Sequence, residues 1–506
     1  MQSALRQDSL KKNMAEIILV ILLGFCYLFP VFRSDIFLYS AFFDDFYYYL
    51  KIAENYCSGN GFSFTKGIST NGYQPFYQYF ICALVYLSKL VGVNTLVFIR
   101  AVLALTFTGF SLLLLRQIKP QFIFSRVVFL CGIFSYYFIS ANGMESLFII
   151  PVLALFVIRM SANKATVFEV ALYCVLCFFL RIDSFVVLTP VVLYYLFSNH
   201  LLTGKKILKT IASFIVAAIP LVIYLLYNHF YFGTLFPISG IAKSVVGFSG
   251  FHGATFKFFI SRTMPLNLVF VTGVFLCLFF FFKPYGKKKW ILVFYLAGTA
   301  LLYIQNSLRS DWNIWPWYFY PFPVSILLTS KEADFNLKSV AKYYRYAFFL
   351  VAVTLPLFLL YLTTTTAPRE PEVMNTAAIK VNEFEKKNNG IYAMGDRAGI
   401  VGYLLESPLI QLEGLVMDTT YLNRLKTEKR VSDLLNNYKV DYYIVSNPKK
   451  INDSTYLVSE PSQSHGYSYK LKDTISWPVM MDFTQQSNYT FKKNIAVHTI
   501  IFKVPK

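Results

Sequence analysis

Cysteine is sparse in this chain of 506 residues, and none follows Cys277. The seven present are Cys26, Cys57, Cys82, Cys131, Cys174, Cys177 and Cys277, an odd number, and all but Cys57 lie in apolar runs. That pattern implies no disulfide framework. Cys174 and Cys177 have CxxC spacing, but inside an apolar helix they read as small core residues, not as a redox or zinc pair. Acidic residues are also scarce: Asp and Glu total 27 against 47 Lys and Arg, for a formal charge of +20. In a soluble chain this imbalance would suggest nucleic acid, but no recognisable binding module accompanies the basic loops, so that partner is not expected. No internal repeat is visible, which argues against transporter folds built from repeated halves. A phosphate-binding glycine loop is missing too. Gly59 and Gly61 read as turns, because no strand–turn–helix surrounds them.

What the chain has in excess is apolar sequence, 56% of residues, where soluble proteins hold roughly 45–50%. The excess comes in long blocks, many near the roughly 20 residues that span a bilayer. Backbone groups in lipid must pair internally, so these blocks are expected as helices. They lack the alternation of barrel strands.

Arg6, Lys11 and Lys12 precede an apolar run from Met14 to Phe32. The run is too long for a secretory signal and has no small-x-small cleavage site, so it reads as a first span with a cytoplasmic N-terminus. Basic clusters then recur: Arg116, Lys119 and Arg126; Arg159 and Lys164; Lys205, Lys206 and Lys209; Lys283, Lys287, Lys288 and Lys289; Lys331, Lys338, Lys342 and Arg345. All are expected on the cytoplasmic side, where they set topology and meet anionic lipid. The turns Ser140–Gly143, Arg181–Asp183, Phe232–Pro265 and Gln305–Asn313 then face outside. Two apolar runs, Pro75–Val91 and Leu96–Leu115, precede the Arg116 cluster, and two full crossings would put that cluster outside. Making Pro75–Val91 a juxtamembrane or re-entrant helix resolves the conflict. The count is about eleven spans, or up to about thirteen if the short segments also cross.

The last span, Tyr344–Thr366, delivers the C-terminus outside. Beyond it Pro368 and Pro371 break the helix, and the sequence turns polar and mixed. Ile391–Met394, Pro408–Leu412 and Asp441–Ser446 read as strands, and Thr420–Tyr438 as a helix. The expected fold is therefore a polytopic α-helical membrane domain over residues 1–366, followed by an extracytoplasmic α/β domain over residues 367–506.

The first external loop, residues 34–74, holds the densest polar signal. Phe46, Tyr49, Leu50, Ala53 and Tyr56 recur at helical spacing, as one face of a helix lying on the membrane surface. Asp44 is placed to cap that helix, and Asp45 lies in its first turn. The plainer reading is a capping pair. The functional reading is that one carboxylate is a general base at the membrane boundary. Asn71-Gly72 and Pro75 mark a turn that enters a helix.

Asp44-Asp45 with Tyr47–Ala53, then Gly59-x-Gly61 and Thr70-Asn71-Gly72-Tyr73-x-Pro75, resembles bacterial members of the GT-C glycosyltransferase superfamily. These are polytopic enzymes related to protein O-mannosyltransferases, lipid A aminoarabinose transferases and arabinofuranosyltransferases. Further blocks fit: Gly143–Ser146, Arg181-Ile182-Asp183, Asn228 through Phe232–Gly240 to Lys243-Ser244, Trp317-Tyr318, Gly395–Gly399 and Leu412–Leu415. The resemblance covers most of the chain. It implies inverting transfer of a sugar from a polyprenyl-phosphate donor to a glycan, lipid or protein acceptor. The reaction would occur on the outer face of a bacterial inner membrane. It maps the base to Asp44, with Asp45 as neighbour or alternate, and puts Asn71, Tyr73 and Gln74 with Glu145 at the acceptor or cation site. Gln74 stands where relatives often have His, and the superfamily has metal-dependent and metal-independent members, so a divalent cation stays open.

Other residues carry paired readings. Glu145 opens an apolar span, where an ionisable group is costly and tends to be functional, though a lone carboxylate also complements a helix start. Arg181 and Asp183 form either a local ion pair or a substrate contact. Lys243 and Arg309 are the cations available to a donor phosphate; a solvated or headgroup-facing role fits them equally. Trp312, Trp315, Trp317, Tyr318 and Tyr320 read mostly as an interfacial belt, with one or two free to stack on sugar or isoprenoid. Gly395–Gly399 and Glu413 read as a strand-to-turn element, with acceptor binding as the alternative. Two rivals remain to the enzyme: a flippase or transporter of lipid-linked glycans, and an assembly protein whose soluble domain binds partners.

Overall fold

The structure is a computed structural model that describes residues 2–118, 126, 129–130, 133, 136, 142–244, 251–252, 287–312, 314–332, 369–462, 470–486 and 496–506. The expected last span, Tyr344–Thr366, the Lys338, Lys342 and Arg345 cluster, Lys119 and Lys283 lie outside the described residues.

Helices dominate the first part: α1 Gln2–Leu28, α2 Asp35–Ser40, α3 Asp44–Cys57, α4 Pro75–Leu90, α5 Thr95–Leu115, α6 Ser146–Ser161, α7 Val167–Leu180, α8 Ser184–Ser198, α9 Lys205–Phe232, α10 Ile238–Lys243, α11 Lys287–Arg309 and α12 Pro321–Glu332. Among the described residues, three helices are long and apolar enough to cross a membrane: Thr95–Leu115, Lys205–Phe232 and Trp290–Arg309. Glu16–Phe32, α6, α7 and α8 are shorter apolar helices. The chain is thus compatible with a membrane protein. α9 shows the pattern most plainly. Its inward stripe is Thr210, Ala217, Tyr224, Asn228 and Phe232, while Leu208, Ile215, Ile223 and Phe230 lie bare on the outside, as expected for a helix wetted by lipid rather than water. One expected boundary shifts. α11 carries the helix through Gln305 to Arg309, so the outer turn starts later than expected. The Arg181–Asp183 turn does separate α7 from α8.

A second, sheet-containing part follows. α13 (Arg369–Glu385) leads into β1 (Tyr392–Met394), α14 (Ala398–Leu404), β2 (Leu409–Gln411), α15 (Thr419–Thr427), α16 (Val431–Asn437) and β3 (Tyr442–Ser446), all three strands inside their expected ranges. Strands β4 (Lys449–Lys450), β5 (Tyr456–Glu460), β6 (Leu471–Ile475), β7 (Val479–Gln486) and β8 (Ala496–Lys503) complete it. One sheet runs β2-β1-β3-β8-β7 and the other β4-β5-β6. β1 is parallel to both β2 and β3, while β8 pairs antiparallel with β3 and β7.

The single helix expected over Thr420–Tyr438 is two helices. Glu428 and Arg430 are extended, and Asp473 of β6 accepts the Ser432 N–H at 3.0 Å and the Arg430 guanidinium at 3.1 Å. A carboxylate from a distant strand thus caps the second helix, an interaction invisible to local periodicity.

The two parts meet on α3, which packs against both α4 and α14. Lys51 Nζ donates to the Leu405 carbonyl at 2.8 Å, and Asn375 Nδ2 to Ser40 Oγ at 3.0 Å. The Thr65 hydroxyl donates to the Leu409 carbonyl. The expectation of a surface helix with one apolar face is therefore corrected. Phe46 through Leu50 are all buried, whereas Tyr56, expected on the apolar face, is exposed. Burial on both sides explains the run of aromatics, which amphipathic spacing alone does not.

Candidate functional site

Under α3, between the helices and the sheet-containing part, lies a cleft with about 540 Å³ of non-protein space, part of it open to the outside. Asp45 from α3, Glu145 from the start of α6, Arg181 from the α7–α8 turn and Lys243 from the end of α10 line it. Tyr73 and Gln74 contribute from the entrance to α4, and Trp317 and Tyr318 from the 3₁₀ turn Pro316–Phe319. Leu415 and Val416 close it from the second part.

Asp44, the expected base, is not in the cleft wall. Phe43 holds the N-cap position of α3, with no side-chain cap bond. The Asp44 carboxylate instead accepts the backbone N–H groups of Gly399 at 3.0 Å and Ile400 at 2.9 Å, so it caps α14 across the interface. Burial first, then the charges of Asp45 and Asp396, push its carboxyl up to about 7 against those two opposing bonds. Asp45 is one residue on and turned into the cleft. Burial and Asp396 raise its carboxyl above the usual range, and Lys243 opposes the rise. The expected capping role is thus met on another helix, and the carboxylate facing open space is Asp45.

Glu145, Arg181 and Asp183 form one buried cluster. Arg181 Nη1 donates to Glu145 Oε1 at 2.5 Å, and its Nε and Nη2 donate to the two Asp183 oxygens at 2.9 and 2.7 Å. Tyr318 and Tyr320 stack on the guanidinium, 4.7 and 4.9 Å from its centre. With each of its three nitrogens bonded to a carboxylate, Arg181 acts as an orienting cation. Glu145 Oε2 stays buried without a hydrogen-bond partner. Gln74 Oε1 accepts the Ile182 N–H at 3.2 Å, so Gln74 ties the first loop to this turn.

Lys243 is the cleft's other cation. Its Nζ lies 3.4 Å from the Tyr318 hydroxyl and near the Trp312 and Tyr318 rings, at 5.8 and 5.7 Å. Burial works against its charge, but Tyr318 and Asp45 outweigh it and raise its pKa. Arg309 ends α11 and does not line the cleft. Asn71 is also outside it: Nδ2 donates to Thr234 Oγ1 at 3.2 Å and Oδ1 accepts the Ile238 N–H at 3.0 Å. The two sequence blocks around Asn71 and Phe236 are therefore knitted together, which places Lys243.

The aromatic group around Trp317 is corrected as well. Trp312, Trp317 and Tyr320 are buried in protein, with Trp317 stacked on Trp315 at 5.8 Å and against Phe43 at 5.2 Å. Trp317 and Tyr318 line the cleft, and the buried rings are enclosed by protein rather than forming a belt at a lipid surface. Tyr48 and Tyr49 also line the cleft; helical spacing puts Tyr49 on the apolar face of α3 and gives no role to Tyr48.

Gly395–Gly399 forms the expected strand-to-turn element, with Arg397 in the left-handed region. Glu413 is buried just past β2; Gln411 Nε2 donates to its Oε2 at 3.2 Å, and Oε1 has no hydrogen-bond partner. Burial raises its carboxyl well above the usual range, with Asp396, Glu460 and Asp45 adding to the rise. Among the described residues no group of three or more His, Cys, Asp or Glu is placed to hold a metal ion. A scan of protein-family models finds none that matches this chain, and a search of curated proteins finds no match.

Proposed function

We propose that this chain is an inverting glycosyltransferase of GT-C type, drawing on a polyprenyl-phosphate sugar and working on the outer face of a bacterial inner membrane. The observation that carries this reading is a half-buried carboxylate and a half-buried ammonium, Asp45 and Lys243, lining one cleft. Asp45 takes the proton of an acceptor hydroxyl as its oxygen bonds to the anomeric carbon. The bond from that carbon to the phosphate oxygen breaks on the opposite side, and Lys243 with the Tyr318 hydroxyl stabilises the departing phosphate. Because Arg309 lies outside the cleft wall, the donor phosphate falls to Lys243. The Arg181 cluster holds the cleft wall in shape, and Trp317 offers a ring face to sugar or isoprenoid.

In this reading about eleven spans carry the cleft, the N-terminus is cytoplasmic and the sheet-containing part is extracytoplasmic. The proposed steps require no divalent cation.

The test is transfer by purified protein from defined polyprenyl-phosphate hexoses and pentoses. Asp45→Asn should lower turnover by about 10²–10⁴-fold with an unchanged melting temperature. Near-normal turnover by that variant would retire the assignment.

A further inference from the structure

A second pocket, with about 710 Å³ of non-protein space, lies in the sheet-containing part. Its place in the topology is informative. The chain passes from β1 to β2 on one side, then returns across β1 to lay β3 parallel on the other. The strand order therefore reverses between β1 and β3, and the crevice outside the carboxyl ends of those two strands is where open α/β sheets bind ligands. The pocket is there: Gly395 and Asp396 follow β1, Ser446 and Asn447 end β3, and Ser459 and Glu460 of β5 form the far wall.

The chemistry of that crevice selects among ligands. In folds of this kind a phosphate sits at the N-terminus of the helix after β1. Here the N–H groups of Gly399 and Ile400 are already taken by Asp44. Asp396 and Glu460 line the pocket beside Lys449 and Lys472, so its charges balance and it is not built for an anion. Glu460 is 4% exposed; its Oε1 accepts the Tyr443 hydroxyl at 2.9 Å, while Oε2 has no hydrogen-bond partner. That oxygen rests against Gly395, where an added Cβ would lie 2.1 Å from it. A buried acceptor without a donor is costly, so a ligand that brings hydroxyl donors is favoured. Lys449 and Lys472 are exposed at the pocket.

We propose that this pocket binds an uncharged saccharide unit, through the free Glu460 oxygen, Asp396 and the Ser446, Asn447 and Ser459 side chains. Asp396, at this pocket, also acts electrostatically on Asp45 and Glu413. Resting on the transferase reading, the bound unit is part of a glycan acceptor whose growing end reaches Asp45.

The test uses the full chain in detergent with a panel of neutral oligosaccharides, binding read by saturation-transfer NMR and calorimetry. At least one should bind, Ser459→Trp should abolish that binding by filling the pocket, and Glu460→Gln should weaken it about tenfold. Asp45→Asn should leave it unchanged, and pyrophosphate should not compete. Failure of the whole panel, competition by pyrophosphate, or full-strength binding by both pocket variants overturns the proposal. Saccharide binding without transfer by the wild type keeps the pocket and retires the transferase; transfer without saccharide binding does the reverse.

Discussion

The Asp44 carboxylate accepts the Gly399 backbone N–H at 3.0 Å, and Gly399 has no room for a side chain there: an added Cβ would lie 2.2 Å from the Asp44 carbonyl oxygen. An aspartate of the first loop and a glycine of the sheet-containing part thus define one contact, and it fixes how that part closes the cleft. The neighbouring Asp45 is left facing the open space.

Asp44→Ala leaves two N–H groups without an acceptor, at about 1–3 kcal/mol each when buried. We expect a lower melting temperature and faster proteolysis between the two parts; unchanged values of both would refute the strut. The pH dependence has a defined sign. Because the native carboxyl is pushed up to about 7, above its ordinary 3.8, the native state holds that proton more tightly. Its contribution is complete below the ordinary value and is lost as pH rises through about 7. Melting temperature should therefore decline less steeply over that range in Asp44→Asn than in the wild type.

Gly72→Ala tests closure from the other side. A Cβ at Gly72 would meet the Leu415 carbonyl oxygen at 1.9 Å, a backbone atom that no side-chain rotation can move aside, so the wall must move. A shift of about 1 Å at a reacting centre can cost on the order of 10²-fold in rate, and kcat/KM for transfer should fall by about that much. Gly109→Ala, with nothing within 4 Å, is the matched control and should be silent in the same assay.

Arg181 holds the charges of the cleft in place. Removing one partner of a buried pair costs about 3–5 kcal/mol, so Arg181→Met should destabilise the chain strongly in thermal unfolding. Pairing it with Glu145→Gln should restore part of the loss. A double variant no more stable than the single one would show that Glu145 does not depend on Arg181 for its charge.

Lys243→Met should raise the KM for the lipid-linked donor and shift the pH profile of transfer. Lys243 holds the Asp45 carboxyl down against burial. Without it that pKa moves further up, and the acid limb of kcat/KM should move to higher pH. Lys243→Arg keeps the charge and should leave the limb in place.

Much of this protein was legible in one dimension. Apolar runs of bilayer length marked helices, because backbone groups in lipid can pair only within a helix or a closed barrel. The strands at Tyr392–Met394, Leu409–Gln411 and Tyr442–Ser446 announced themselves as short apolar runs between turn residues. The residue blocks around Asp45, Gln74, Glu145, Arg181, Lys243 and Trp317 stood out as polar groups placed between those runs, and they meet in one cleft.

Which carboxylate faces that cleft was decided only by tertiary structure. Asp44 and Asp45 are adjacent on one helix, and side chains at consecutive helical positions point in different directions. Local sequence cannot say which direction holds the sheet-containing part, some 355 residues away. The split between α15 and α16, set by Asp473, and the burial of Trp317 within protein have the same origin: each depends on a partner far along the chain. Periodicity determines which face of an element is apolar, and only packing determines what lies opposite it.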